Sequence, residues 1–306
     1  MCVNCSFSPK REFDFPAELK RELDNFLEPM RTKDFLDSLV DLAQMPRDFV
    51  EYKLRVCLNE VYVGVDLIWD DLIERKPSSI LEVGAGSKLV SYFLKQKGFD
   101  VIALEPFQDG FGFYESVWKL TSQQFAHINL KTIPLYAEEL DPQNNGYFDY
   151  MFSVNVLEHI HKFEEAIQAM KSVLNKGGAM RHTCPNYNIP YEVHFGIPLL
   201  PFTPITTRHF FQKKIAKRQD VWDSLNFITY TRTKKALNKF NLESSFTTGL
   251  TYEAFERLGA DPVFQERHGK TIAGKTYKFL KTTKLLKLMK HLPKSHTTPM
   301  EFIAYN

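Results

Sequence analysis

Apolar residues recur three and four positions apart from Pro16 to about Glu74. In "PAELKRELDNFL" and "TKDFLDSLVDLAQM" this spacing gathers them on one helical face. Pro46 marks a break before "RDFVEYKLRVCLNEVYVGVDLIWDDLIE" resumes the same period. The pattern then changes. "SILEV" is a short continuous apolar run, "KLVSYFLKQK" returns to helical spacing, and "DVIALE" is a second apolar run. Ser87 stands where a residue caps the intervening helix, and Gly98 stands just past its end. "FYESVWKLTSQQFAH" predicts a helix, and "LKTIPLY", interrupted by Pro134, a third strand. "FDYMFSVN" predicts a fourth strand, "FEEAIQAMKSVL" a helix ending at Lys176-Gly177-Gly178, and "AMRHTCP" a fifth strand. Strands alternating with helices predict an α/β fold with a parallel sheet and right-handed crossovers. From Asn186 the rhythm breaks into an aromatic, proline-rich stretch reaching about Phe211. "TRTKKALNKFNLESSFTTG" predicts one more helix and strand, and "PMEFIAYN" a closing strand.

Composition narrows the reading. With 43% hydrophobic and 25% charged residues among 306, the chain can bury a core. A net charge of +2 is too small to imply a nucleic-acid partner. The N-terminus lacks the order of a secretory signal, and no uncharged apolar run reaches about 18 residues, so no transmembrane segment is expected. Of Cys2, Cys5, Cys57 and Cys184, the first two form a single C-x-x-C, and a structural zinc site would want a second pair. Free thiols in a cytoplasmic protein are the expectation.

The stretch "LEVGAGS" carries the clearest chemistry. Gly84 and Gly86 follow the first predicted strand, at the sheet edge where α/β folds bind ligands. Leu89 occupies the third glycine position of a dinucleotide fingerprint, and there is no P-loop. Glu105 lies nineteen residues beyond Gly86, at the end of the next strand, where a carboxylate can accept from both hydroxyls of a ribose. A ribose acceptor without a phosphate cradle suits an adenosyl group.

Together, "LEVGAGS", "VIALEP", "YAEEL", "FDYMFSVNVLEHI" and "VLNKGGAMRHTCPN" resemble, in order, the motifs of class I S-adenosylmethionine-dependent methyltransferases. The flavour is that of the group with ubiquinone-pathway and sugar-tailoring members. The resemblance implies a Rossmann-like, mostly parallel seven-stranded sheet with helices on both faces. It divides the chain into an N-terminal helical cover (1–76), a cofactor-binding core (77–186), and a substrate-side insertion with closing elements of the same domain (187–306). It implies that Glu82, Gly84, Ala85 and Gly86 line the methionine and ribose side of S-adenosylmethionine. Glu105 would hold the ribose, Pro106 would lie near the adenine, Ala137 and Glu138 would meet its edge, and Asn155 and Val156 would border the methionyl end. Lys88, where a third glycine is common, and Tyr136, where an aspartate often stands, depart from the pattern.

The implied activity is methyl transfer to a small-molecule acceptor, at oxygen or nitrogen of a sugar, lipid, quinone-like or other metabolite. The alternatives are a non-catalytic cofactor-binding scaffold and a nicotinamide oxidoreductase, the latter disfavoured by Leu89. A hydroxyl or amine acceptor needs a proton acceptor. His194, with Glu192 two residues before it, and His159 are the candidates, with Glu158 and His161 nearby. Metal-binding relatives carry E-x-x-E-H; here Asn155 replaces the first glutamate, and no metal is expected, although His194 or His161 could complete such a site. Tyr187, Tyr191, Phe195, Phe202, Phe210 and Phe211 could form a lid over the acceptor or a mini-core beneath a loop. Read as one α-helix, Tyr277–Leu292 spreads its lysines around the axis, which weakens a membrane-surface role.

Overall fold

The computed structural model describes residues 16–107 and 112–306; Cys2 and Cys5 lie outside them. The chain opens with α1 (Ala17–Leu27), α2 (Lys33–Ala43) and α3 (Arg47–Arg75). The α/β part follows as β1 (Ile80–Val83), α4 (Leu89–Gln96), β2 (Val101–Leu104), α5 (Gly112–Gln124), β3 (Thr132–Ile133), α6 (Pro142–Asn145), β4 (Phe148–Val154), α7 (Phe163–Ser172) and β5 (Leu174–Cys184). A hairpin of β6 (Tyr191–Glu192) and β7 (Ile197–Pro198) precedes α8 (Ile205–Ile215), α9 (Gln219–Ser224), α10 (Tyr230–Lys239) and β8 (Glu243–Phe246). The chain ends with α11 (Leu250–Ala260), α12 (Pro262–His268), α13 (Ile272–Thr282) and β9 (Met300–Tyr305).

Seven strands form one sheet in the order β3-β2-β1-β4-β5-β9-β8. Neighbours from β3 to β5 run parallel, whereas β9 and β8 are antiparallel additions from the C-terminal third. The two-residue period of a strand divides the apolar residues between two layers. Ile80, Tyr150, Phe152, Ala179 and Ile303 face a core built with α1–α5. Their neighbours Leu81, Met151, Met180, Phe302 and Ala304 face a core built with α7 and α10. The N-terminal helices therefore cover one face of the sheet. Polar groups fasten them: Arg181 on β5 donates from Nε and Nη2 to Asp71 of α3, Tyr150 donates to the same carboxylate, and the remaining arm of Arg181 reaches Glu301 on β9.

Four local expectations change. β3 is two residues long, because Pro134 has no N–H to continue its ladder. α7 ends at Ser172, and Lys176-Gly177-Gly178 lies inside β5, where a Cβ on Gly178 would stand 2.8 Å from the Asn175 carbonyl oxygen. α4 is entered through Lys88 in the left-handed region (φ 59°) with no side-chain cap, so Ser87 does not cap it. The lysine-rich segment is not one helix: α13 ends at Thr282, Lys284 is left-handed (φ 62°), and Leu286–His291 is 3₁₀.

Candidate active site

A cavity of about 910 Å³ opens at the carboxyl ends of the parallel strands. Its floor is the turn after β1. The N–H groups of Gly84 and Ala85 both donate to the Leu104 carbonyl, at 2.8 and 3.0 Å, which folds the turn over the end of β2. Gly84 has φ +67°, and a Cβ there would lie 2.5 Å from Val156 Cγ1. The glycine thus admits the loop after β4, rather than simply leaving space for a ligand.

Glu105, at the end of β2, lines this floor. One carboxylate oxygen accepts from Gly86 N–H at 2.6 Å and the other from Phe107 N–H at 2.9 Å. Each oxygen keeps a further lone pair for a ligand donor. Burial raises the Glu105 pKa, against the lowering effect of these amides and of Lys88. Glu82 also lines the cavity, but its Oε2 accepts from the amide and hydroxyl of Ser91, and burial pushes its pKa to about 8. Lys88 turns the other way. Its ammonium sits 3.4 Å from the Trp118 ring centroid and 4.3 Å from that of Phe107, which is how a lysine fits where a glycine is usual. Pro106, Ala137 and Glu138 line the cavity together with Leu135 and Tyr136, as do Ala85, Asn155 and Val156.

A 3₁₀ turn, Leu157–His159, follows β4 and carries the titratable groups. His159 Nδ1 lies 2.7 Å from Ser224 Oγ, whose own proton goes to the Val221 carbonyl at 2.8 Å. Ser224 must therefore accept, which places a proton on Nδ1 and leaves Nε2, 3.9 Å from Glu158, as the basic nitrogen. His194 reaches the same tautomer by another route, with Nδ1 2.6 Å from Glu192 Oε1. Burial favours a neutral Glu192, but His194 and the amides of His194 and Phe195 outweigh it and hold its pKa below the usual range. Burial, then the charges of His194, Arg218 and His161, depress the His159 pKa well below its usual value. Glu158 is fully buried, neither carboxylate oxygen has a hydrogen-bond partner, and burial, with the charges of Glu192 and Glu60, lifts its pKa to about 8. One donor atom each from Glu158, His159 and His194 lie within 4.8 Å of one another.

The structure thus brings His159 and His194 to the cavity together, their rings 5.3 Å apart, and keeps Glu192 buried behind His194, off the cavity wall. His161 lines the cavity outside the Glu158 cluster. The aromatic segment divides. Only Tyr191 reaches the cavity; Phe195 packs on Trp222 in a small core with Ile197 and Ile215; Phe202 and Phe210 are exposed. Other aromatic side chains of the lining come from Phe255 on α11 and Phe264 on α12, and from Tyr52, Phe107, Tyr114 and Tyr136. Sequence reasoning also missed α3, whose Lys53, Val56, Glu60, Val63 and Leu67 line the cavity. Their spacing of three and four was a legible signal: one helical face mixing charge and apolar surface. Glu60 is fixed by Tyr114 OH at 3.0 Å.

A family model described as "Methyltransferase domain" matches residues 64–242. Uncharacterized protein Rv1509 of Mycobacterium tuberculosis strain H37Rv is 34% identical over 197 residues, covering 62% of this chain and 66% of its own length. The same figures hold for uncharacterized protein MT1557 of strain CDC 1551. The chain therefore matches slightly less than two thirds of these relatives. Among solved structures, the plantazolicin methyltransferase BamL, in complex with a triazolic desmethylPZN analog and SAH, aligns with TM-score 0.47 at 14% identity, over 94% of this chain and 98% of that one. Haemonchus contortus phosphoethanolamine N-methyltransferase 2, in complex with S-adenosyl-L-methionine, aligns with TM-score 0.44 at 13% identity, over 92% and 59%. With the model spanning more than half of the chain, this protein belongs to the methyltransferase domain family.

Proposed function

We propose that the protein is an S-adenosylmethionine-dependent methyltransferase acting on the oxygen or nitrogen of a small organic acceptor, with His194 as general base. The observation that carries the cofactor side is Glu105, pinned by two backbone amides beside Gly86 and lining the cavity with acceptor capacity to spare. That acceptor fits a ribose diol, whose hydroxyls would donate to it, and the sequence contains no P-loop. S-adenosylmethionine, when bound, supplies an electrophilic methyl group. The residues of the chain do the rest. The strand ends and the turn at Gly84 would hold the methyl donor, while residues of α3, α11 and α12, which line the same cavity, would position the acceptor. His194 Nε2 takes the acceptor proton, and the ionised Glu192 steadies the resulting imidazolium.

A second reading rests on a specific observation: the unpartnered buried carboxylate of Glu158 faces two imidazoles whose outer nitrogens are held in place by Ser224 and Glu192. Such a set could hold a divalent cation, with those two residues as orienting partners. One experiment separates the readings. Turnover of S-adenosylmethionine is measured across acceptor classes with wild type and His194→Ala, before and after exhaustive chelation. The base reading expects turnover to survive chelation and His194→Ala to keep S-adenosylhomocysteine affinity while losing about 10²-fold or more in rate. Loss on chelation, restored by magnesium or manganese, favours the cation. Cofactor binding without any methylated product across the panel favours a scaffold.

A further inference from the structure

The chain's modest net charge conceals a strong segregation. From Lys270 to Met300 there are eight lysines and no acidic residue, against +2 for the whole chain, so the remainder is net acidic. All eight lysines are exposed. Large apolar side chains are exposed among them: Ile272 at 48%, Phe279 at 62%, Leu285 at 41% and Leu288 at 58%.

The backbone sorts these residues into stripes. On α13, Ile272 and Phe279 are seven residues apart and share one line, while Leu280 turns inward. In the 3₁₀ segment Leu286–His291, residues three apart eclipse one another. Leu286 and Met289 therefore point inward, Leu288 continues the line of Leu285 outward, and Lys287 and Lys290 form a third line. The break at Lys284 thus aligns charges that a continuous α-helix would scatter. The face also adjoins the cavity, because Ile272, Ala273 and Thr276 line its wall.

We propose that Lys270–Lys294 is a docking face for an anionic lipid bilayer. Lysines attract a negatively charged headgroup layer, and the exposed Phe279, Leu285 and Leu288 offer side chains to the acyl boundary. A nucleic acid would satisfy the lysines but leave the leucines and Ile272 without a counterpart. The face adjoins the cavity wall, whatever atom the enzyme methylates, and the proposal does not rest on the cofactor assignment.

The test is flotation of the full chain with vesicles of phosphatidylcholine alone, or of phosphatidylcholine with phosphatidylglycerol. Co-flotation is expected only with the anionic vesicles and should fall as salt rises. A triple variant, Lys275→Glu, Lys278→Glu and Lys287→Glu, should lower partition by about tenfold or more. Phe279→Ser with Leu288→Ser, which keeps every charge, should also weaken it; all five substituted sites are exposed, and thermal melting checks that the fold persists. No co-flotation with anionic vesicles overturns the proposal. So does binding that tolerates the apolar replacements, or tighter binding to duplex DNA than to vesicles.

Discussion

His159 and His194 carry the same tautomer for different reasons, one set by a hydroxyl that must accept, the other by a carboxylate. The difference matters chemically. A carboxylate can stabilise charge on the imidazole it holds and a serine cannot, and burial depresses the His159 pKa, so His159 is suited to act as a neutral hydrogen-bonding group. Glu158 beside them, like Glu82 in the turn region, changes charge within the neutral range. Its native pKa of about 8 lies above its ordinary 4.5, so the folded state holds a proton that the unfolded chain has released. The resulting stability is complete below about pH 4.5 and is lost as pH rises through about 8. Glu158→Gln cannot ionise. Denaturant melts of the two proteins should therefore diverge, with the variant gaining on wild type from pH 5 to pH 8; parallel curves would show that Glu158 is ionised throughout or solvated. Lys88 is the companion case of opposite sign, a buried ammonium lowered to about 8 chiefly by desolvation and held over Trp118.

Among the elements, the turn after β1 and the loop after β4 depend on each other. Gly84→Ala incurs the left-handed penalty of about 1–2 kcal/mol and a collision with Val156, itself about 1–3 kcal/mol. Adding Val156→Ala should recover the second cost and leave the first, a coupling visible in a double-mutant cycle; strictly additive losses would mean that the loops are independent. The same turn shows what a sequence exposes and what it hides. Gly84, Gly86 and Glu105 were legible because short-range chemistry demands those residue types at strand ends. The contact that Gly84 protects was not, because Val156 lies seventy-two residues away in sequence and only the sheet order brings it close. The five parallel strands were readable from apolar runs, whereas α11 and α12, which supply Phe255 and Phe264, follow no repeated βα rhythm. The winding of Leu286–His291 was hidden for another reason: the lysine pattern is compatible with α or 3₁₀ geometry, and the turn at Lys284 decides between them.

At the scale of the molecule, one cavity is assembled from three distant parts of the chain. α3 arrives before the sheet, the strand-end loops form the floor, and α11–α13 close the wall before β9 returns to the sheet. The polar fastening of α3 through Asp71, Arg181 and Glu301 keeps that first wall in register with the strands that carry the loops. Ile272, Ala273 and Thr276 at the start of α13 line the same cavity, so the proposed docking face adjoins it. Methyl transfer in this cavity turns on its floor being an adenosyl site. Isothermal calorimetry with S-adenosylhomocysteine, run on wild type and on folded Glu105→Ala with NAD as competitor, measures that directly. The account predicts one site per chain, no displacement by NAD, and a loss of about 1.5–3 kcal/mol when the charged acceptor is removed. No binding, displacement by NAD, or unchanged affinity in Glu105→Ala would contradict it.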